Sequence, residues 1–205
     1  GQGSGWSTGA TPDPVGSTAS LPGVMTKGIL DKNDYYYRRL FTDGVRAIDA
    51  LVEQDVVDAD RIAVCGGSQG GGIALAVAGI DKRVKAVMPD VPFLSDFPRA
   101  VAKAQRDPYG EIVRFLAQHR DKKAQVFETL RYFDGVCFAR QARAAALFSV
   151  AVMDDVCPPS SVYGAFNAYA GADKTMVEYE FNNHEGGGPY QDRAQMAWLA
   201  GQFGG

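Results

Sequence analysis

The sequence predicts an α/β fold in which a mostly parallel sheet carries helices on both of its faces. Short apolar runs of strand length alternate with longer segments whose apolar residues recur at helical spacing. Strands that alternate with helices in this way are typical of βαβ units, whose sheets are covered on both faces. With 205 residues, 46% of them hydrophobic and 22% charged, the chain has the size and composition of one globular domain, residues 1–205.

The predicted elements follow an irregular beginning. Residues 1–33 are rich in Gly, Ser, Thr and Pro and lack periodicity, which predicts an irregular loop segment. The predicted strands are Arg61–Cys65, Val84–Met88, Ala146–Met153 and Met176–Phe181. The predicted helices are Tyr35–Gln54, Gln69–Ala78, Asp107–Ala144, Pro158–Tyr169 and Tyr190–Phe203. Because open α/β sheets bind ligands at the carboxyl ends of their strands, candidate site residues are sought there.

Charge and hydropathy argue against two classes of partner. The chain has 21 basic and 24 acidic residues and a net charge of −3, which gives no electrostatic reason to expect nucleic acid. Its longest uncharged, mostly apolar run, Ala144–Met153, is far shorter than the roughly 18 residues that span a bilayer. We therefore expect neither a nucleic acid nor a membrane as partner.

Disulfide, metal and cofactor chemistry are not indicated either. The three cysteines, Cys65, Cys137 and Cys157, are odd in number and widely spaced, which favours reduced thiols and a cytoplasmic location. Cys65 lies in a predicted strand, so we expect it to be a small buried hydrophobe. A lone His-Glu pair does not make a zinc site, and no Lys follows the Gly-rich turn as a phosphate-binding loop requires.

Residues 66–70, with the sequence GGSQG, match the G-x-S-x-G pattern of a nucleophile elbow. The match falls between a predicted strand that ends at Cys65 and a predicted helix that begins at Gln69, which is the context that such an elbow requires. It makes Ser68 the candidate nucleophile; the alternative is a Gly-rich turn that serves packing only. The same pattern around Ser7 lies in a loop without strand or helix, so we interpret it as a chance match.

A serine nucleophile needs a base and an acid. Of the two histidines, His119 lies late in a predicted helix and is interpreted as a solvated residue near the helix end, whereas His184 follows the fourth predicted strand. Asp154 and Asp155 follow the third strand, so the order is serine, acid, histidine, as in α/β-hydrolases. The alternative for the two aspartates is a solvated strand end or a cap for the helix at Pro158.

Several segments, in this order, resemble carbohydrate esterase family seven, the acetyl xylan esterases and cephalosporin-C deacetylases. The principal segments are residues 1–3 (GQG), 66–70 (GGSQG), 154–160 (DDVCPPS) and 184–185 (HE). Connecting segments are also similar: residues 34–38 (DYYYR), 91–94 (VPFL) and 130–134 (LRYFD). The resemblance covers essentially the whole chain and is more specific than the elbow alone.

This resemblance implies an α/β-hydrolase fold without metal or organic cofactor, and removal of acetyl groups from small acetylated sugars and related esters such as cephalosporin C. It implies Ser68 as nucleophile, His184 as base, Asp154 as acid, and the backbone N–H of Gln69 as half of an oxyanion hole. Glu185 matches a structural acid beside the histidine. A cytoplasmic homohexamer with active sites that face an internal cavity is implied as well.

Two alternatives to this function remain. One keeps the fold and changes the substrate, giving a peptidase or a dienelactone-type hydrolase. The other is a non-catalytic binding module that retains the fold. The relative activity on acetyl esters, longer acyl esters and a peptide amide distinguishes an acetyl esterase from the other hydrolases. Labelling of Ser68 by a fluorophosphonate distinguishes an enzyme from a non-catalytic module.

The sequence also departs from the family, which leads to a first prediction. The arginine that precedes the GQG motif is missing, as is the N-terminal third with its first strands and the second oxyanion donor. A sheet of four strands would expose a long edge and an apolar face, which promotes aggregation. We therefore expect residues 1–205 alone to be insoluble or molten and without measurable esterase activity. Thermal unfolding and acetate release measure this; cooperative unfolding with family-like turnover would contradict it.

Overall fold

The computed structural model describes residues 24–204, and a four-stranded parallel sheet forms the centre of this range. The strands are β1 (Ile62–Gly67), β2 (Val84–Asp90), β3 (Ala145–Ala151) and β4 (Lys174–Tyr179). They lie side by side in chain order, and each neighbouring pair is parallel. Parallel neighbours need long crossover connections, which the intervening helical segments provide. The predicted fold class is confirmed.

Helices cover both faces of this sheet. Within residues 24–204 they are α1 (Tyr36–Val52), α2 (Gln69–Ile80), α3 (Phe97–Lys103), α4 (Tyr109–Gln118), α5 (Lys123–Arg131), α6 (Gly135–Ala139), α7 (Pro159–Ala168) and α8 (Pro189–Phe203). Helix α2 packs against β1 and β2, α7 against β3, and α8 against β2 and β3, while α1 packs on α2. None of the helices in this range combines the length and the apolarity that crossing a membrane would require.

Helix α2 is buried on nearly all sides because its residues are small. Gly71, Gly72 and the run Ala74–Gly79 are all buried. A Cβ atom added to Gly72 would lie 2.4 Å from the carbonyl oxygen of Phe93, so only glycine permits this close approach. The helix that follows the elbow therefore lies directly against the segment that leaves β2, which fixes the position of both.

Apolar side chains form two clusters around this arrangement. One lies between the sheet and helices α1, α2 and α7 and includes Ile48, Ile62, Leu75, Val87, Phe148 and Ala165. The other joins the first described residues to α3, α4 and α5 and includes Met25, Tyr37, Phe97, Ile112, Val126 and Leu130. The second cluster anchors the residues that precede α1 to the body of the protein.

The predicted irregular segment agrees with the structure where the structure describes it. Residues 24–34 form successive turns, closed by hydrogen bonds such as Ile29 N–H to the Thr26 carbonyl, and α1 follows directly. Residues 1–23, with the GQG motif and the chance match around Ser7, lie outside the described residues.

The prediction of one helical segment over Asp107–Ala144 was wrong. The structure divides it into α4, a short 3₁₀ turn (Arg120–Lys122), α5 and α6. The carboxylate of Asp134 explains the last division, because it accepts hydrogen bonds from the backbone N–H groups of Asp96 and Phe97 as well as Val136. Asp134 thus caps α6 and ties it to the start of α3, a helix that the sequence pattern did not predict.

The expectation that Cys65 is buried was also wrong. Cys65 is exposed, because β1 is the outer strand of the sheet formed by residues 24–204 and several of its residues lack full cover. The predicted ends of β3 and β4 differ from the observed ends by one or two residues, since the last residues of each predicted strand already belong to the loops.

The tight packing of α2 leads to a prediction with opposite signs at two helical glycines. We expect Gly72→Ala to destabilise the protein by about 1–3 kcal/mol, because the new methyl group overlaps the Phe93 carbonyl. Gly201→Ala, in exposed α8 with no atom within 4 Å of the added Cβ, should stabilise by about 0.5–1 kcal/mol. Denaturant unfolding of both variants measures the difference; equal effects would contradict it.

Candidate active site

Ser68 occupies a strained turn between β1 and α2. Its φ of 52° and ψ of −116° are values that residues other than glycine rarely adopt. The turn is held from both sides: the N–H of Ser68 donates to the carbonyl of Asp90 at 2.9 Å, and its carbonyl accepts from Phe93 at 2.9 Å. A Cβ atom on Gly66 would lie 2.5 Å from the carbonyl carbon of Gly70, so the crossing of strand and helix requires glycine.

His184 and Asp154 complete a chain of hydrogen bonds that begins at Ser68. The Oγ of Ser68 lies 2.9 Å from Nε2 of His184, and Nδ1 of His184 lies 2.9 Å from Oδ2 of Asp154. The side chain of Asp154 is 1% exposed and that of His184 is 27% exposed. The structure therefore brings together the three side chains that the sequence singles out, with the acid buried and the serine end open to a substrate.

The two oxygens of Asp154 have different partners. Oδ1 accepts backbone hydrogen bonds from Val156 and Cys157, each at 2.8 Å, and Oδ2 faces His184. Because two N–H groups hold one oxygen in place, the other is oriented toward the imidazole before any reaction begins. Asp155 points away and forms an ion pair with Arg106 at 2.6 Å.

The loop after β4 is braced by its own side chains. Oδ1 of Asn183 accepts from the N–H of His184 at 2.7 Å and from the N–H of Asp155 at 3.1 Å, which joins this loop to the end of β3. Oε1 of Glu185 accepts from the N–H of Asn183 and from the side chain of Asn182. Hydrogen bonds from its own backbone and from Asn182 keep the pKa of Glu185 below its usual value, so it holds the loop as an ionised group.

Gln69 begins α2, so its backbone N–H has no acceptor within the helix. The positive end of the helix dipole adds to its attraction for an anion. The side chain of Gln69 donates from Nε2 to Oη of Tyr37 at 2.9 Å, and Tyr37 in turn donates to Sδ of Met25 at 3.3 Å. Helix α1 and the residues before it therefore hold the residue next to the nucleophile.

Cys157 lies inside the site, which the sequence did not indicate. Its thiol is fully buried and close to Ser68, and its pKa is raised well above the usual value by burial and by the carboxylate of Asp154. The thiol is therefore protonated and a poor nucleophile. Among residues 24–204, Asp154, Cys157 and His184 form the donor set that could hold a metal ion, although both ring nitrogens of His184 already have hydrogen-bond partners.

Other residues that the sequence left unassigned also support the site. They are Tyr37, Asp90, Ser149 and Asn183. Asp90 could have been found, because it is the first polar residue after the predicted strand Val84–Met88, the same signal that marked Asp154. His119, by contrast, is the C-cap residue that follows α4, is exposed and packs its ring against Phe115, in agreement with the interpretation as a solvated residue at a helix end.

The chain matches the family model of acetyl xylan esterases (AXE1) over residues 1–202. It is 31% identical over 180 residues to the acetyl esterase Axe7A of Xylanibacter ruminicola, which covers 88% of this chain and 40% of that protein. The structure is similar to acetyl xylan esterase from Paenibacillus sp. R4, with a TM-score of 0.88 and 41% identity over 94% of this chain and 62% of the other.

Acetyl xylan esterase 1 from Thermoanaerobacterium sp. JW/SL YS485 is similar too, with a TM-score of 0.84 and 31% identity. The matched region covers 95% of this chain and 63% of that protein. The chain thus spans less than two thirds of the length of each of these relatives.

The different environments of the two neighbouring aspartates lead to a prediction. We expect Asp154→Asn to lose about 10⁴-fold in turnover in the full-length protein, because an amide cannot orient the imidazole in the tautomer that accepts the serine proton. Asp155→Asn is the matched control and should lose less than about tenfold, since it breaks only a half-exposed ion pair. Steady-state kinetics decide it, and equal losses at the two positions would contradict the assignment.

Proposed function

The chain belongs to the acetyl xylan esterase family, and we propose that it forms the catalytic part of a serine esterase. The proposed substrates are acetylated xylo-oligosaccharides and related small acetate esters, including cephalosporin C. The observation that carries this proposal is the chain of two 2.9 Å hydrogen bonds that runs from Ser68 through His184 to Asp154, with Ser68 on a positive-φ turn. From the same family membership we propose a cytoplasmic homohexamer.

In the proposed reaction, Ser68 attacks the acetyl carbonyl carbon while Nε2 of His184 takes the hydroxyl proton. The new bond between Oγ and carbon makes a tetrahedral anion, whose negative oxygen accepts a hydrogen bond from the backbone N–H of Gln69. Such a donor contributes about 2.7–4 kcal/mol to stabilising the transition state. The positive charge that forms on His184 is stabilised by the buried carboxylate of Asp154.

Collapse of this anion breaks the bond between carbon and the sugar oxygen, and His184 returns its proton to the departing alcohol. Ser68 then carries the acetyl group. A water molecule takes the place of the alcohol, gives a proton to His184 and attacks the same carbon. Collapse of the second tetrahedral anion breaks the bond between carbon and Oγ, His184 returns the proton to Oγ, and acetate leaves. The buried thiol of Cys157 takes no part in these steps because it remains protonated.

The test of this function is acyl selectivity. We expect the full-length protein to hydrolyse 4-nitrophenyl acetate, with each added methylene lowering kcat/KM by about tenfold or more because a close-fitting acyl site excludes larger groups. Acetate should also be released from acetylated xylo-oligosaccharides and from cephalosporin C. Equal activity on long acyl esters, or hydrolysis of a peptide amide, would contradict the proposal.

Ser68→Ala is the control for this experiment and should reduce turnover by about 10⁶-fold. A fluorophosphonate should label the unmodified protein at Ser68 and leave the variant unlabelled. Absence of labelling in the unmodified protein would instead favour a non-catalytic module.

A further inference from the structure

Asp90, the last residue of β2, touches both halves of the site. Its backbone carbonyl accepts the N–H of Ser68 at 2.9 Å, so it supports the strained turn. Its side chain lies between the elbow and the loop that carries His184. A Cβ atom on Gly67 would lie 3.5 Å from Oδ2 of Asp90, and one on Gly186 would lie 3.4 Å from Oδ1. One carboxyl group therefore lies next to both the residue before Ser68 and the second residue after His184.

Ser149, on the neighbouring strand β3, holds this carboxyl group in place. Its Oγ accepts a hydrogen bond from the N–H of Val91 at 3.0 Å and donates its own proton in a short hydrogen bond to Oδ1 of Asp90. Ser149 is completely buried, and Val91 has a positive φ of 37°. A hydrogen bond from the Ser149 hydroxyl to Oδ1 favours the ionised form of the Asp90 carboxyl group, which opposes the effect of burial on its pKa.

The charges around Asp90 come from several elements. The titratable groups that interact with it are His184 in the loop after β4, Tyr179 on β4, Cys157 before α7 and Asp192 on α8. Burial raises the pKa of Asp90, and the negative charge of Asp192 raises it further. The hydrogen bond from Ser149 and the proximity of His184 lower it. The groups that interact with His184 are Asp154, Asp90 and Glu185.

We propose that Asp90 is a positioning residue that places a second negative charge beside His184 and holds the histidine loop against the nucleophile elbow. Asp154 orients the ring through Nδ1, and Asp90 acts on the same ring through its charge alone. When His184 takes the proton of Ser68, two carboxylates stabilise the imidazolium. This inference rests on the proposed serine chemistry and adds to it a residue that sets the pH at which the base works.

The decisive experiment measures the rate of fluorophosphonate labelling of Ser68 against pH in the full-length protein and its Asp90→Asn variant. A nearby carboxylate favours the protonated form of an imidazole, and Asp90→Asn removes such a charge from the surroundings of His184. Labelling needs neutral His184, and its acidic midpoint should therefore move to lower pH by about 0.5–1 unit. The plateau rate should fall by about tenfold, because the imidazolium is less stable and the base weaker.

Asp192→Asn is the matched control, because it removes an exposed carboxylate from the same surroundings. Since Asp192 raises the pKa of Asp90, this variant keeps Asp90 ionised and should not move the midpoint to lower pH. Ser149→Ala is a second variant in which Asp90 loses its donor and protonates more readily. Its midpoint should move in the same direction as in Asp90→Asn, by a smaller amount. If Asp90→Asn does not fold, this shift decides the question.

The outcomes separate the two proposals. A midpoint that does not move in Asp90→Asn, even with lower thermal stability, would show that Asp90 serves packing only and would overturn the inference. Unmodified protein that labels normally but releases no acetate would overturn the proposed substrate class and leave Asp90 as proposed. Unmodified protein that does not label would overturn both.

Discussion

The positive φ of Ser68 is the constraint on which the rest of the site depends. A residue other than glycine in such a conformation costs of order 1–3 kcal/mol, so surrounding contacts must hold it. Here the backbone of Asp90 and the backbone of Phe93 bind the two peptide groups of Ser68, and glycine at position 66 lets the helix cross the strand. The same turn presents Oγ to His184 and starts α2 one residue later, so a single backbone geometry sets both the proposed nucleophile and the N–H proposed to bind the anion.

Around this turn, several polar side chains accept hydrogen bonds from backbone N–H groups. One oxygen of Asp154 accepts two N–H groups, the side chain of Asn183 accepts two, and Glu185 braces the same loop. Because backbone donors in a packed protein move little, the oxygen of Asp154 that faces His184 is oriented in advance. Catalysis by preorganised groups depends on such second partners as much as on the reacting atoms.

The elbow is also connected to helices α1 and α4 by hydrogen bonds. Gln69 binds Tyr37 on α1, Tyr37 binds Met25, and the N–H of Met25 donates to the buried carboxylate of Glu111 on α4. Hydrogen bonds thus run from the residue beside the nucleophile to a helix that has no direct part in the site. Packing of α1 and α4 and the geometry of the elbow are therefore physically coupled.

The sequence by itself determined the order of the four strands, the elbow at residues 66–70 and the three side chains Ser68, Asp154 and His184, because these depend on local periodicity and on positions next to strand ends. Only the tertiary structure decided that Cys65 is exposed, that Asp134 interrupts a long helical pattern, and that Tyr37 holds Gln69. It also decided the contact between Ser149 and Asp90, two residues that are 59 positions apart in the sequence. Such contacts join residues that no local pattern relates, since they arise only when separate strands come to lie side by side.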